Sequence, residues 1–122
     1  MEPATVTLHQ RRRRVYVAGP ITKGDQYVNA RNGILMGKEL YEAGYAPYVP
    51  HLTCLWQIVA PMPYEAWLTL DNEYLVLCDA LLRLPGESPG ADREVALARQ
   101  HGIPVFHALS ELTSQLAPVV YE

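Results

Sequence analysis

The sequence predicts an α/β fold: a doubly wound parallel sheet of four to five strands with helices on both faces. Three observations predict it. Short apolar runs alternate along the chain with stretches of helical period. The repeated strand–helix order favours parallel pairing through crossover connections. The run Asp79–Leu84 is apolar but for Asp79 and Arg83, as expected of a strand covered on both faces.

Val15–Ala18 is a short apolar run stopped by Gly19-Pro20 and reads as the first strand. From Gln26 to Ala43 the spacing turns helical. Ala30, Ile34, Gly37, Leu40 and Tyr41 are expected on one face, and Gly44 supplies the stop. Tyr45–Val49 reads as the second strand, with Pro47 suggesting an edge position because its nitrogen cannot donate to a ladder. Pro50–Pro63 is a long apolar-aromatic connection with room for a helical turn, and such connections tend to be functional. Tyr64–Cys78 is again helical in period, and Asp79–Leu84 is the third strand. Ser88 is a natural N-cap and Pro89 suits the first position of a helix running to Gln100, closed by His101-Gly102. Ile103–Leu109 gives a fourth strand and Leu109–Leu116 a last short helix. The order is of the flavodoxin or Rossmann type, in which ligands bind beyond the carboxyl ends of the strands. The loops expected there are Gly19–Gln26, Pro50–Pro63 and Pro85–Gly90.

The chain of 122 residues is read as one domain, 1–122, with residues 1–13 as an N-terminal lead-in. Its 49% hydrophobic content supports a core, and its net charge of −3 argues against a binder of nucleic-acid polymers or anionic membranes. The run Arg11–Arg14 is read as a solvated approach to the first strand. No stretch reaches the roughly 20 apolar residues of a membrane span, and the N-terminus lacks the hydrophobic core of a signal peptide. Cys54 and Cys78 make neither a disulfide framework nor a zinc signature. His9, His51, His101 and His107 are scattered without metal-binding spacing. The expectation is a cytoplasmic, reduced protein with no metal and no cofactor.

Three places can carry chemistry. In the first loop, Gly19 and Pro20 lead to Thr22 and Lys23, which suits an anion cradle and equally an ordinary Gly-Pro turn. Asp71 falls inside the apolar stripe Trp67, Leu70, Tyr74, Cys78, where a charge costs free energy unless it is satisfied. It is either a site carboxylate or a structural one bonded to a loop. Glu94 lies four residues after Gly90 and four before Ala98, so it borders the packing face above a residue with no side chain. Asp92, Arg93, Arg99 and Gln100 form the wet face of that helix, and a solvated Glu94 is the alternative. Cys78 reads as a buried core thiol. Tyr48, Trp56, Tyr64 and Trp67 cluster near the long loop, partly as core and partly able to stack on a base.

The segment "VYVAGPI", the stretch "WLTLDNEYLVLCDALLRLPGESPGADREVALARQHGIPV" and the proline-rich region between them resemble the nucleoside 2-deoxyribosyltransferase superfamily. They look most like its small branch known only as a domain of unknown function. The resemblance covers Val15 to Leu109 and rests on the order Asp71, Asp79, then Ser88-x-Gly90-x-x-x-Glu94. It implies that Glu94 is a nucleophile toward C1′ of a sugar and that Asp71 positions substrate and supports proton transfer. It also implies a site completed by a neighbouring subunit, hence a homodimer or higher homo-oligomer. Nucleoside transferases of the superfamily usually carry an acid where this chain has Ser88. Its nucleotide N-glycosidases carry serine there and accept a 5′-phosphate. The chain departs in its first loop, which lacks the arginine often found after the first glycine, with Lys23 as its possible replacement. The partner-subunit residue near the C-terminus has no assigned counterpart.

The expected activity is cleavage of the N-glycosidic bond of a nucleoside 5′-monophosphate or nucleoside. Gly19, Pro20, Thr22, Lys23, Ser88, Gly90, His51 and Trp56 are the expected substrate contacts. The alternatives are base transfer between deoxyribosides, which Ser88 disfavours, and a non-catalytic nucleotide-binding module, which has no need of both Asp71 and Glu94.

Overall fold

The computed structural model describes residues 11–119, so His9 and the rest of residues 1–10 in the expected lead-in lie outside the described residues. Four strands form one parallel sheet in the order β2-β1-β3-β4: β1 is Arg14–Ala18, β2 Ala46–Tyr48, β3 Ala80–Arg83 and β4 Val105–Phe106. The helices are α1 (Gln26–Glu42), α2 (Thr53–Val59), α3 (Tyr64–Leu75), α4 (Pro89–Gln100) and α5 (Leu109–Gln115), with a 3-10 turn at Pro50–Leu52. The chain winds outward from β1 to the edge strand β2, then returns past β1 to β3. Loops leaving β1 and β3 therefore diverge, and the crevice between them is the switch point at which open α/β sheets bind ligands.

The pleat sorts the core into two layers. Val15, Val17, Ala80 and Leu82 pack with Leu40 of α1 and Leu112 of α5. Their alternating neighbours Tyr16, Ala18 and Leu81 pack with Leu75 of α3 and Ala91 and Ala98 of α4. Helices thus cover both faces, and Pro47 sits on an edge strand as its missing donor requires.

Some elements differ in detail from expectation. The buried face of α1 is Gly33, Gly37 and Leu40, while Ile34 and Tyr41 point outward. The cause is close approach. A Cβ on Gly33 would meet the His51 ring at 2.5 Å, and one on Gly37 would meet Val49 Cγ2 at 2.7 Å. Two glycines thus let the helix lie on the segment that follows β2. The long connection holds more than one helical turn: the 3-10 turn leads into α2, which buries none of its residues. Helix α3 ends at Leu75, and Val76 and Leu77 turn the chain before β3. Only Val105 and Phe106 of the expected last strand pair with β3.

The arginine run is tied down rather than merely solvated. Arg11 bridges to Asp79 at 2.9 Å, Arg12 donates to the Tyr41 and Tyr45 carbonyls, and Arg13 donates to the Ala117 carbonyl. Asp79 also accepts from the Arg14 backbone N–H at 2.8 Å. Its carboxylate fastens the start of β3, a strand's length from the crevice. Among the described residues, no helix is long and apolar enough to cross a membrane.

Candidate active site

A cavity of about 360 Å³ opens at the switch point. This size suits a small organic molecule. Four elements build it. The loop after β1 brings Gly19, Thr22 and Lys23, and α3 brings Trp67, Leu68 and Asp71. The start of α4 brings Ser88, Gly90 and Glu94, and Thr53 closes one side from α2.

Each functional side chain has a local cause for its position. Ser88 caps α4 by accepting from the Ala91 N–H at 3.0 Å, which leaves its hydroxyl hydrogen free to donate. Gly90 keeps the first turn bare: a Cβ there would lie 3.3 Å from the Tyr64 hydroxyl. One turn later Glu94 is therefore buried against the sheet between Ala91 and Ala98, yet borders the cavity. On α3 the inward line is Leu68, Asp71 and Leu75, with Tyr74 half exposed, so Asp71 faces inward more fully than the expected stripe implied.

Both carboxyls are satisfied by tyrosines. The Tyr16 hydroxyl on β1 donates to Oε2 of Glu94, and the Tyr48 hydroxyl on β2 donates to Oδ1 of Asp71 at 3.3 Å. The rings of Tyr16, Tyr48 and Tyr74 stack in series, with centroids 5.4 and 4.9 Å apart. Burial pushes the Glu94 carboxyl up to about 7, opposed by the Tyr16 bond and helped by the neighbouring Asp71 charge. Burial likewise pushes Asp71 up to about 6, opposed by the Tyr48 bond. Both phenols are raised, chiefly by burial and then by these carboxylates, so they stay protonated as donors. The Asp71 charge raises Glu94, and of the two Glu94 keeps its proton to the higher pH. A Glu94 carboxylate ready to attack beside a protonated Asp71 with a proton to give is therefore the minor of the pair's two singly protonated forms.

Of the residues expected from sequence, Glu94, Asp71, Gly19, Thr22, Lys23, Ser88 and Gly90 converge on the cavity. Three do not line it. Pro20 turns the other way, and its ring lies 2.8 Å from where a Gly86 Cβ would stand. His51 is 1% exposed and packs on Gly33, and burial lowers its pKa against the opposing effect of the Pro20 backbone. Trp56 is half exposed and meets the cavity only through Trp67, against which it packs edge-on at 5.1 Å. Gln57 completes that clasp by accepting from the Trp67 indole N–H at 2.5 Å.

Sequence reasoning missed Tyr16. Its signal was the pleat: a tyrosine alternating with Val15 and Val17 in a buried strand must find a partner for its hydroxyl.

The sequence profile of a family described as a domain of unknown function, DUF4406, matches residues 13–107. The chain belongs to this family. The matched span runs from the approach to β1 through β4 and contains every residue lining the cavity. No curated protein matches the chain.

Proposed function

We propose that this DUF4406 chain cleaves the N-glycosidic bond of a nucleoside 5′-monophosphate or nucleoside. The observation that carries the reading is the buried Glu94–Asp71 pair at one cavity, each member held by its own tyrosine. The resemblance to the nucleoside 2-deoxyribosyltransferase superfamily, at Asp71 and Ser88-x-Gly90-x-x-x-Glu94, supports the same assignment.

The Glu94 carboxylate attacks C1′, forming a glycosyl ester as the C1′–N bond breaks. Asp71 gives its proton to the departing base, which leaves neutral. Water then attacks C1′, Asp71 recovers a proton from it, and Glu94 is released as carboxylate. Tyr64, Trp67 and Leu68 supply apolar and aromatic wall for the base, and Ser88, Thr22 and Lys23 supply donors for the sugar end. The test is incubation with a panel of ribo- and deoxyribonucleotides and nucleosides, with free base as readout. The expected result is base release by the native chain and none by Glu94→Gln. Undiminished release by that variant rejects the mechanism.

We also infer self-association in a reducing, cytoplasmic setting. Leu55, Ile58 and Val59 expose one apolar side of α2 beside the cavity, and Cys54 and Cys78 are free thiols. Sedimentation should find a dimer or larger species, and a monomer at micromolar concentration rejects that inference.

A further inference from the structure

The mouth of the cavity is crossed by one ion pair. Lys23 Nζ, on the loop after β1, lies 2.7 Å from Glu87 Oε1, on the loop after β3. Among the described residues Lys23 is the one cationic side chain lining the cavity, and Glu87 immediately precedes Ser88. Both side chains are well exposed, so water already solvates the pair and its separation costs little.

The backbones beneath the pair are held independently of it. Asn29 of α1 donates to the Ile21 and Lys23 carbonyls at 3.2 and 2.7 Å and fixes the first loop. Arg83 donates to the Leu84 and Gly86 carbonyls, bridges to Asp92 at 3.0 Å, and fixes the second. The two loops also touch directly, Gly19 against Leu84 and Pro20 against Gly86. Neither loop needs the Lys23–Glu87 pair to keep its shape. A change of partner at Lys23 therefore requires movement of two exposed side chains only.

We propose that Glu87 is a specificity-determining residue, holding Lys23 across the mouth until a phosphoryl group on the substrate takes the lysine from it. The inference rests on the reading of this cavity as a sugar-phosphate site and deepens it. A neutral sugar end leaves the pair closed and meets no net charge. A phosphorylated end displaces the Glu87 carboxylate from Lys23 and gains the Ser88 hydroxyl and the lysine together. Glu87 then stands as a like charge beside the phosphate, so it restrains affinity for phosphorylated ligands selectively. Glu87→Gln removes that restraint and frees Lys23.

The test is calorimetry of the full chain with ribose 5-phosphate and 2-deoxyribose 5-phosphate beside the two free sugars. These probes carry no base, so binding is read apart from cleavage. Failure of the glycosidic mechanism alone would leave this binding intact. Glu87→Gln should tighten both sugar phosphates by about two- to five-fold, the range expected for losing an exposed ion-pair competitor. It should leave the free sugars unchanged, and the gain should shrink in 1 M salt. Lys23→Gln should weaken only the sugar phosphates, and adding Glu87→Gln to it should recover less than the single variant gains. Equal changes for phosphorylated and free sugars would make the pair a mere loop clasp and overturn the proposal. So would unchanged or weaker phosphate binding by Glu87→Gln, or no binding of either sugar phosphate.

Discussion

Tyr16 and Glu94, 78 positions apart in the chain, are joined side chain to side chain beneath the cavity floor. The strand supplies a phenol that stays protonated, and the helix supplies a carboxyl that burial has made reluctant to ionise. The bond opposes that reluctance, because a donated hydrogen stabilises the carboxylate. Tyr48 does the same for Asp71. The sheet thus presents two donors on adjacent strands to two acids on adjacent helices. Which acid holds the shared proton is decided first by their burial, and then by the two bonds and the Asp71 charge on Glu94.

Tyr16→Phe disturbs that balance in a defined direction. With the donor gone, burial and the Asp71 charge act unopposed by it, and the Glu94 pKa rises above about 7. The attacking form becomes scarcer, and the descending limb of the rate profile, where the last proton leaves Glu94, should move to higher pH. At pH 7 the rate should fall by roughly tenfold for each unit of that movement. Base release measured from pH 5 to 9 checks this. An unmoved limb would show that Tyr16 does not support the ionised nucleophile.

Glu94→Gln should remove activity and also change stability with pH. The ordinary Glu94 value is 4.5, and in the fold it is raised to about 7. Between those values the folded chain binds more protons than the unfolded one, so the stability Glu94 allows is full below about pH 4.5. It is lost as pH rises through 7. Gln carries no such loss and can still accept from Tyr16. The variant should therefore be more stable than the native chain by roughly 1–3 kcal/mol at pH 8. It should be nearly level with it at pH 4.5. Urea unfolding at both pH values is the measurement. An equal difference at the two would show that Glu94 does not titrate as its burial requires.

Asp71→Asn makes the complementary case. It removes the like charge that helps hold Glu94 up, so the Glu94 pKa should fall below about 7. It also removes the proton donor, so the descending limb should disappear and the rate should rise with pH to a plateau. The maximum should fall by roughly 10²- to 10⁴-fold, the usual contribution of a positioned general acid. A substrate whose leaving group needs no proton should lose much less. A bell-shaped profile surviving in Asp71→Asn would assign the proton donor and the descending limb to another group.

The site was legible where one element carried its own signal. Ser88, Pro89, Gly90 and Glu94 fall on one helix, and cap chemistry with the 3.6-residue period places them without tertiary information. Asp71 was legible as a charge among apolar neighbours, although the true inward line, through Leu68 and Leu75, is rotated from the one its period suggested. The sheet order was constrained by the strand–helix alternation and by Pro47 at an edge. Contacts between elements distant in sequence were not legible. Tyr16 meets Glu94 only because β1 and α4 share a sheet face. His51 and Trp56 were expected at the cavity because their loop reaches it. The 3-10 turn instead rolls His51 onto α1, and Trp67 comes between Trp56 and the cavity.

That packing of His51 on α1 gives a last prediction, on stability alone. A Cβ at Gly33 would stand 2.5 Å from two atoms of the His51 ring. The ring is wholly buried, so it cannot swing into water. Alanine at 33 gains roughly 1 kcal/mol of helix propensity but must force the ring and the turn carrying it outward, an overpacking cost of about 1–3 kcal/mol. The cost should win, because moving His51 also disturbs Pro50, which is buried beside it. Gly33→Ala should therefore lower the urea midpoint, whereas Asn32→Ala, one position away on the exposed side, should leave it level or raise it. If both variants gain equally, the contact between α1 and the turn is loose, and the glycines of this helix serve some purpose other than close approach.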